Sequence, residues 1–420
     1  MAYIIALGLT SLLFIYWYVD YNAHLRRVRR IPLRIHVNGI RGKSTVTRLI
    51  AGILREAGYA TLAKTTGSAA RVIHGDGSET PITRYGAPTI SEQINILRKH
   101  ANPDLDALVI ECMALDPEYQ RISQQQIIEG NLSVITNVRE DHQDVMGTSL
   151  AEIASSLSNT IAHHGTMITA ESCPELQKIL TQHADQLGSE LIYADATTVS
   201  EDDLTRFDYL AFKENIATGL AVAAKLGISR EIALAGMQRA QPDIGAVFLK
   251  EITVASTHML WAPMFAVNDR ESTVLGIEAL SSHHSSEAVR VGILNNRLDR
   301  VVRAQQFAEI AALDLKLDYY ITLGAFERQI TNQLVALGYP LERIINLATS
   351  EVNAQHILTR VAALNPGGQV VLIGLVNIHT AHAEALIKYF EGVSTPQPKL
   401  TPRVTGTTLP GVQVARAASA

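Results

Sequence analysis

HVNGIRGKST, residues 36–45, is the stretch on which the fold turns. The run RIHVNG that leads into it reads as a strand. A helical period follows, with Val46, Leu49, Ile50, Ile53 and Leu54 on one face between Lys43 and Gly58. Strand, glycine-rich turn and helix in that order make a phosphate cradle, because unpaired N–H groups at a helix N-terminus attract an anion. Gly39 and Gly42 permit close backbone approach, Lys43 reaches the β/γ-phosphates, and the Ser44 hydroxyl holds Mg²⁺. The loop is shorter than the usual pattern, since Val37 stands where the first glycine is expected. The competing reading is a strand–helix turn in which Lys and Ser only cap.

Upstream, Tyr3 to Val19 carries no charge and ends in Tyr16, Trp17 and Tyr18. That length is at the short end of what spans a bilayer, and the aromatic cluster suits an interface. Arg26, Arg27, Arg29, Arg30 and Arg34 come after it. A cleaved leader has its charges before the apolar run, so an uncleaved, single-pass anchor in the cell inner membrane is expected, with a cytoplasmic body. A core helix is the alternative. The arginines also suit anionic membrane lipid, or act only as a topology signal.

The 420 residues exceed what one core usually serves. The net charge of −5 makes no case for a nucleic-acid partner, and Cys112 and Cys173 form no paired motif. Short apolar runs alternate with helical periods, which predicts a mostly parallel α/β sheet. After the first strand, ATLAKTT, DALVIECM, LSVITNV, TMITA and ELIYA read as further strands. Residues 67–88 read as a long loop and ENIATGLAVAAKLG as a helix stopped by Gly227. A break falls at QPDIGAV, residues 241–247, after which VRVGILNN, DYYITLG, RIINLA and QVVLIGL restart the alternation. The expected division is an anchor at 1–21, a basic juxtamembrane segment at 22–33, a P-loop ATP-binding domain at 34–245, a smaller Rossmann-like domain at 246–391, and a disordered tail at 392–420.

A phosphate loop needs metal ligands, and two strand ends offer them. Glu111 closes DALVIE, and Glu140, Asp141, His142 and Asp144 follow LSVITNV. Side chains at the C-terminal ends of parallel strands face the ligand crevice. Taken singly, these residues also read as a surface carboxylate and a solvated turn.

GIRGKST followed by TNVREDHQD resembles the Mur ligase and folylpolyglutamate synthase superfamily, whose motifs read Gly-Thr-Asn-Gly-Lys-Thr and Asp-His-x-Asp. A closer resemblance, to the ligase subunit of poly-γ-glutamate synthases (PgsB/CapB type), rests on seven motifs. These are VNGIRGKSTVTRL, AKTTG, VIECMALDPEYQ, EDHQDVMG, NDRESTVLG, LNNRLDRVVRAQQFA and GLVNIHTA. It runs from about the start of the chain to Leu386. The resemblance implies a Mur ligase-like central domain and an ATP- and Mg²⁺-dependent amide ligase that polymerises glutamate through its γ-carboxylate, by way of an acyl phosphate. It implies integral membrane subunits of a synthase and export complex as partners, beside glutamate and the growing polyglutamate chain. Homo-oligomerisation is left open.

Residue by residue, the resemblance implies that Gly39, Arg41, Gly42, Lys43, Ser44 and Thr45 form the nucleotide loop. Glu111 and His142, with Ser44, then contact the metal, and Asn215 meets adenine unless it only caps its helix. Departures stand beside these. No lysine appears in SLAEIASSLSNT, where Mur ligases carry a carbamylated one. Gly245-Ala246 replaces the family's Gly-Arg, and Met264 stands where its Asp is expected. No uridine-nucleotide-binding domain precedes the loop, so a peptidoglycan precursor is not the expected substrate.

In the second domain, Arg297, Arg300 and Arg303 recur at spacing three and read as one side of a helix that binds anionic acceptor, Arg297 and Arg300 foremost. The bland reading is a solvated face paired with Asp299. His379 follows a strand end, where it would take the proton of the attacking ammonium or contact the acyl phosphate; a structural role is the alternative. Asn268 and Asp269 read as helix caps or as ribose and substrate contacts. Two other functions stay open: a folylpolyglutamate-type or Mur-type ligase with another acceptor, and a nucleotide-driven membrane ATPase switch.

Overall fold

The computed structural model describes residues 2–392 apart from 68–69, 85, 244–245, 266, 268, 348–349 and 351. Gly245, Asn268 and the tail beyond 392 therefore lie outside the described residues.

The first unit runs α1 (Ala2–Arg29), β1 (Leu33–Asn38), α2 (Lys43–Glu56), β2 (Thr61–Lys64), β3 (Arg71–Ile73), β4 (Glu79–Pro81), α3 (Glu92–His100), β5 (Ala107–Glu111), α4 (Pro117–Ile122) and β6 (Leu132–Ile135). It continues with α5 (Gln143–Met146), α6 (Leu150–Leu157), β7 (Thr166–Thr169), α7 (Pro174–Gln186), β8 (Glu190–Tyr193), α8 (Glu201–Thr205), α9 (Lys213–Lys225) and α10 (Arg230–Arg239). Its eight strands are ordered β4-β3-β2-β5-β1-β6-β7-β8. The strands from β2 to β8 in that order are parallel; β2, β5, β6 and β7 are buried throughout, as helix-covered parallel strands require, while the edge strand β8 is partly exposed. Residues 67–88 are not a plain loop. They contain β3 and β4, an antiparallel pair added to the edge of β2. With three residues each, these strands are too short to show a period.

The second unit comprises β9 (Lys250–Val254), β10 (Thr257–Ala262), α11 (Arg270–Leu280), β11 (Val289–Asn296), α12 (Val301–Ile310), β12 (Tyr319–Gly324), α13 (Glu327–Ala336), β13 (Ile344–Asn346), α14 (Ala354–Ala362), β14 (Gln369–Val376) and α15 (Ala381–Glu391). Its sheet order is β13-β12-β11-β14-β10-β9, parallel except for β9. The strands expected at VRVGILNN, DYYITLG, RIINLA and QVVLIGL are β11 to β14, while the β9–β10 hairpin adds an edge that the sequence did not signal. Trp261 of β10 stacks on Phe390 of α15 at 4.9 Å, closing the core on one face.

The apolar N-terminal run and the arginines after it belong to one continuous helix. Tyr3 to Val19 is exposed, and α1 is long and apolar enough to cross a membrane. Its C-terminal part instead packs on the body. His24 and Val28 are buried, Asp20 pairs with Arg98 of α3 at 2.8 Å, and Arg29 pairs with Glu129 at 2.7 Å. The helix is thus seated on the first domain rather than tethered to it by a loose linker.

Candidate active site

The turn after β1 is built for close approach. Gly39 has φ 126° and Gly42 φ 78°, both unfavourable for a side chain. A Cβ on Gly39 would fall 2.1 Å from Thr136 Oγ1, and one on Gly42 would fall 2.6 Å from Asn215 Oδ1. Gly42 is the N-cap of α2 and no side chain caps it, so the first N–H groups of α2 point into the crevice. Lys43 Nζ donates to Gly39 O at 2.7 Å and Ile40 O at 3.3 Å. Burial pushes its pKa down, and Glu111 opposes that shift.

Three donors converge on the Glu111 carboxylate. Ser44 Oγ donates to it at 2.8 Å, Thr66 N at 2.7 Å and Thr66 Oγ1 at 2.5 Å. Glu111 is 3% exposed. A serine hydroxyl and a carboxylate side by side at a phosphate loop are hard oxygen donors of the kind Mg²⁺ accepts, with phosphate and water completing its shell. His142 is not brought to them. It caps the short α5 with φ 49°, is largely exposed, and has its Nε2 3.7 Å from Asp141 Oδ2. Among the described residues no three His, Cys, Asp or Glu side chains cluster to hold a metal.

A cavity of about 210 Å³ lies between the two domains, lined by Arg41, Gly42, Thr45, Asn215, Val247 and Asp269 among others. Leu49, Leu210, Phe212, Ile216 and Val267 give it apolar walls. Its size and lining suit a nucleoside base laid against the phosphate loop. Asn215 is not a cap. Phe212 holds that position on α9, and Asn215 turns its amide towards Gly42. Asp269 does cap α11, accepting from Ser272 N at 2.8 Å, and also pairs with Arg41 at 3.0 Å. Met264 is fully buried against Gly276 and offers no polar contact where the family's Asp is expected.

The second domain presents the C-terminal ends of β11, β12 and β14 as a shallow groove of about 470 Å³, lined by Asn296, Arg297, Asp299, Gly324, His379 and Thr380. Val376 has φ 80°, a strained conformation for a β-branched residue, at the end of β14. It sets up Asn377, whose Nδ2 donates to Asn295 O at 3.2 Å, while Thr380 Oγ1 donates to Asn295 Oδ1 at 2.6 Å. The three arginines do not share a helix face. Arg297 lies in the turn after β11 and Arg300 is the N-cap of α12, so only Arg303 is helical. The helix starts at Val301, four residues after Arg297. Arg297 is held bidentately by Asp299, with both contacts at 2.9 Å, and Arg300 Nε is 3.7 Å from the same carboxylate.

Arg303 has no carboxylate within ion-pair distance among the described residues; its Nη1 is 3.5 Å from Asn377 Oδ1. Burial pushes its pKa down, helped by the charges of Arg300, Arg41 and Arg297. His379 is exposed beside Glu384 at 3.3 Å. Sequence reasoning missed Thr66, the Arg41–Asp269 pair and the precedence of Arg303. Each depends on contacts between distant segments, and no local pattern marks them.

Comparison with known proteins agrees with this architecture. Residues 37–220 match the Mur ligase middle domain, and residues 249–393 match the poly-gamma-glutamate synthase CapB C-terminal domain. The chain is 38% identical to the capsule biosynthesis protein CapB of Bacillus anthracis, over 90% of this chain and 80% of that one. It is 36% identical to the PGA synthase CapB of Bacillus subtilis (strain 168), over 88% of this chain and 93% of that one. Among solved structures, MurF from Acinetobacter baumannii superposes with a TM-score of 0.57 at 16% identity, covering 87% of this chain and 78% of that one. The bifunctional folylpolyglutamate synthase/dihydrofolate synthase of Yersinia pestis, solved with AMPPNP and Mn, gives 0.58 at 16%, covering 88% and 91%. These last two share the fold. A Mur ligase-like body with the CapB-type second domain, matched along nearly its whole length, makes this chain a member of the CapB family of poly-γ-glutamate synthases.

Proposed function

We propose that the chain is a membrane-anchored, ATP-dependent amide ligase that joins glutamate units through the γ-carboxylate in capsule or poly-γ-glutamate synthesis. The observation that carries this reading is the position of Arg303. It is a guanidinium without a carboxylate partner among the described residues, with its Nη1 3.5 Å from Asn377 Oδ1 at the end of β14 and close enough to Arg41 of the phosphate loop for the two charges to act on each other. A phosphate cradle on one wall and cationic groups on the other suit transfer of a phosphoryl group to an anionic acceptor.

A carboxylate is a poor electrophile, so its activation as an acyl phosphate precedes attack by the next amine, with release of phosphate. Most of the work of such a site is positioning and charge neutralisation. The N-terminus of α2 with Gly39, Arg41, Gly42, Lys43 and Thr45 grips the phosphates, and Asn215 and the apolar walls hold the base. Ser44 and Glu111 would hold Mg²⁺; His142, exposed on the facing turn beside Asp141, would join them only if that turn moved towards Glu111. Bound there, Mg²⁺ would neutralise phosphate charge. Arg297, Arg300 and Arg303 bind acceptor carboxylates, and His379 takes the proton of the attacking ammonium. The exposed part of α1 spans the inner membrane once with the body cytoplasmic, beside integral membrane subunits that pass the product on.

Phosphate release by the purified chain tests this. Release that depends on glutamate supports it. Release that ignores every amino-acid acceptor would favour a nucleotide-driven switch, and release that depends on another acceptor would favour a different ligase.

A further inference from the structure

Arg41 of the phosphate loop is bracketed by one carboxylate from each domain. Its Nη2 lies 3.2 Å from Asp141 Oδ2 and its Nε 3.0 Å from Asp269 Oδ2. Its backbone is pinned as well. The N–H donates to Asn137 Oδ1 at 3.0 Å, and the C=O accepts from Thr136 Oγ1 at 2.6 Å. The two oxygens of Asp269 have separate tasks. Oδ1 accepts from Ser272 N at 2.8 Å and so caps α11, which fixes the direction in which Oδ2 meets Arg41. In the same first turn, Ser272 Oγ accepts from Arg139 Nη1 at 2.7 Å, and Glu271 pairs with Arg139 Nε at 3.2 Å. The N-terminus of α11 thus takes one arginine from each of two first-domain loops at the rim of the interdomain cavity. Arg41, Arg139, Asp269 and Ser272 all line that cavity.

A guanidinium is a planar fork of five donors on a long, flexible stem. The contacts to Asp269 and Asp141 are ion pairs by distance, and Arg41 Nε and Asp269 Oδ2 have no hydrogen-bond partner among the described residues, so the guanidinium keeps donors free for a phosphate oxygen. The two carboxylates also bring negative charge close to a phosphate site. Lys43 and the uncapped N-terminus of α2 supply positive charge there. Asp269 is 17% exposed and Arg41 35%, a pair screened less than one on open surface.

We propose that Asp269 is a positioning residue. It arrives with the second domain and fixes the Arg41 guanidinium over the phosphate loop, so the anion site is complete only while α11 is seated on the first domain. The inference rests on the reading of this loop as the nucleotide site.

Asp269→Asn keeps the cap, because asparagine caps a helix as well as aspartate, and removes the charge. In the full-length chain, equilibrium binding of Mg-ATP and the kinetics of glutamate-dependent phosphate release are measured for the wild type, Asp269→Asn, Arg41→Lys and the double variant. Asp269→Asn should weaken ATP binding and raise the ATP KM by about tenfold. The glutamate KM and the melting temperature should stay at the wild-type values. The double variant should be no worse than Arg41→Lys alone, since both act through one fork. Wild-type ATP affinity in Asp269→Asn, effects that multiply in the double variant, or a loss of melting temperature in step with the loss of binding would each overturn the proposal. A wild-type chain that binds no ATP would overturn the nucleotide reading as well, a result distinct from these.

Discussion

Ser44 Oγ donates to Glu111 Oε2 across 2.8 Å, joining the first turn of α2 to the end of β5. These residues are far apart in sequence and meet because β1 and β5 are adjacent parallel strands, with Val37 opposite Glu111. The loop that leaves β1 therefore passes directly beside the carboxylate that ends β5. The hydroxyl and carboxylate become neighbours by strand register alone, and they do so at the C-terminal edge where α/β sheets place their ligands.

Lys43→Ala should lower ATP-dependent phosphate release by about a hundredfold or more, because it removes a fixed positive donor from a site that stabilises transferring charge. Its melting temperature should match the wild type. Steady-state phosphate release and thermal unfolding check this, and retained turnover would remove the phosphate-cradle reading.

Thr66→Val should raise the Mg²⁺ concentration needed for half-maximal activity by about 10–100-fold, the usual effect of losing a group that orients a metal-binding carboxylate. Thr66 Oγ1 is 2.5 Å from Glu111 Oε1, so Thr66→Ser should restore most of the loss. Mg²⁺ titrations of the two variants separate orientation of Glu111 from simple packing.

Arg303→Ala should cost acceptor binding about 1.5–3 kcal/mol, seen as a raised glutamate KM with ATP affinity unchanged. Arg300→Ala should cost less, since Arg300 is more exposed and already near Asp299. Glutamate saturation curves for both variants check the order. An equal or reversed ranking would return precedence to the arginine that sequence spacing favours.

His36 is fully buried on β1, with Nδ1 2.8 Å from Gln124 Oε1, and burial lowers its pKa from 6.5 to about 4. Above pH 6.5 the ring is neutral in folded and unfolded chains alike. Between pH 6.5 and about 4 the unfolded chain binds the proton and the folded chain does not, so stability falls as pH falls through that window. The loss should reach about 3 kcal/mol at its low end. His36→Gln should flatten that slope in denaturant midpoints measured across the window; an unchanged slope would place the acid sensitivity elsewhere.

Much of the architecture was legible because its signals are local. The apolar run before Gly39 and the helical period after Lys43 are read within one turn of chain, and the same holds for the four strands from Val289 onward. The β3–β4 pair was not legible, because three-residue strands carry no period and gain their stability from the edge of β2. In the site, Lys43, Ser44 and Glu111 were legible, since loop pattern and strand ends point to them. The capping of α11 by Asp269 was legible too, but Thr66 and the pairing of Asp269 with Arg41 were not, because these come from segments that meet only in the fold. The arginines show the limit of spacing arguments. Arg297, Arg300 and Arg303 are evenly spaced, yet α12 starts only at Val301, and the turn before it sends the first two to Asp299.

The central claim is that phosphoryl transfer to the γ-carboxylate of glutamate precedes bond formation. It is tested most directly by supplying glutamate with a heavy-oxygen label in that carboxylate, together with ATP and Mg²⁺, and analysing the phosphate released. An acyl phosphate requires one carboxylate oxygen to leave with the phosphate, so labelled phosphate should appear in step with new isopeptide bonds. Unlabelled phosphate released while such bonds form would contradict the account.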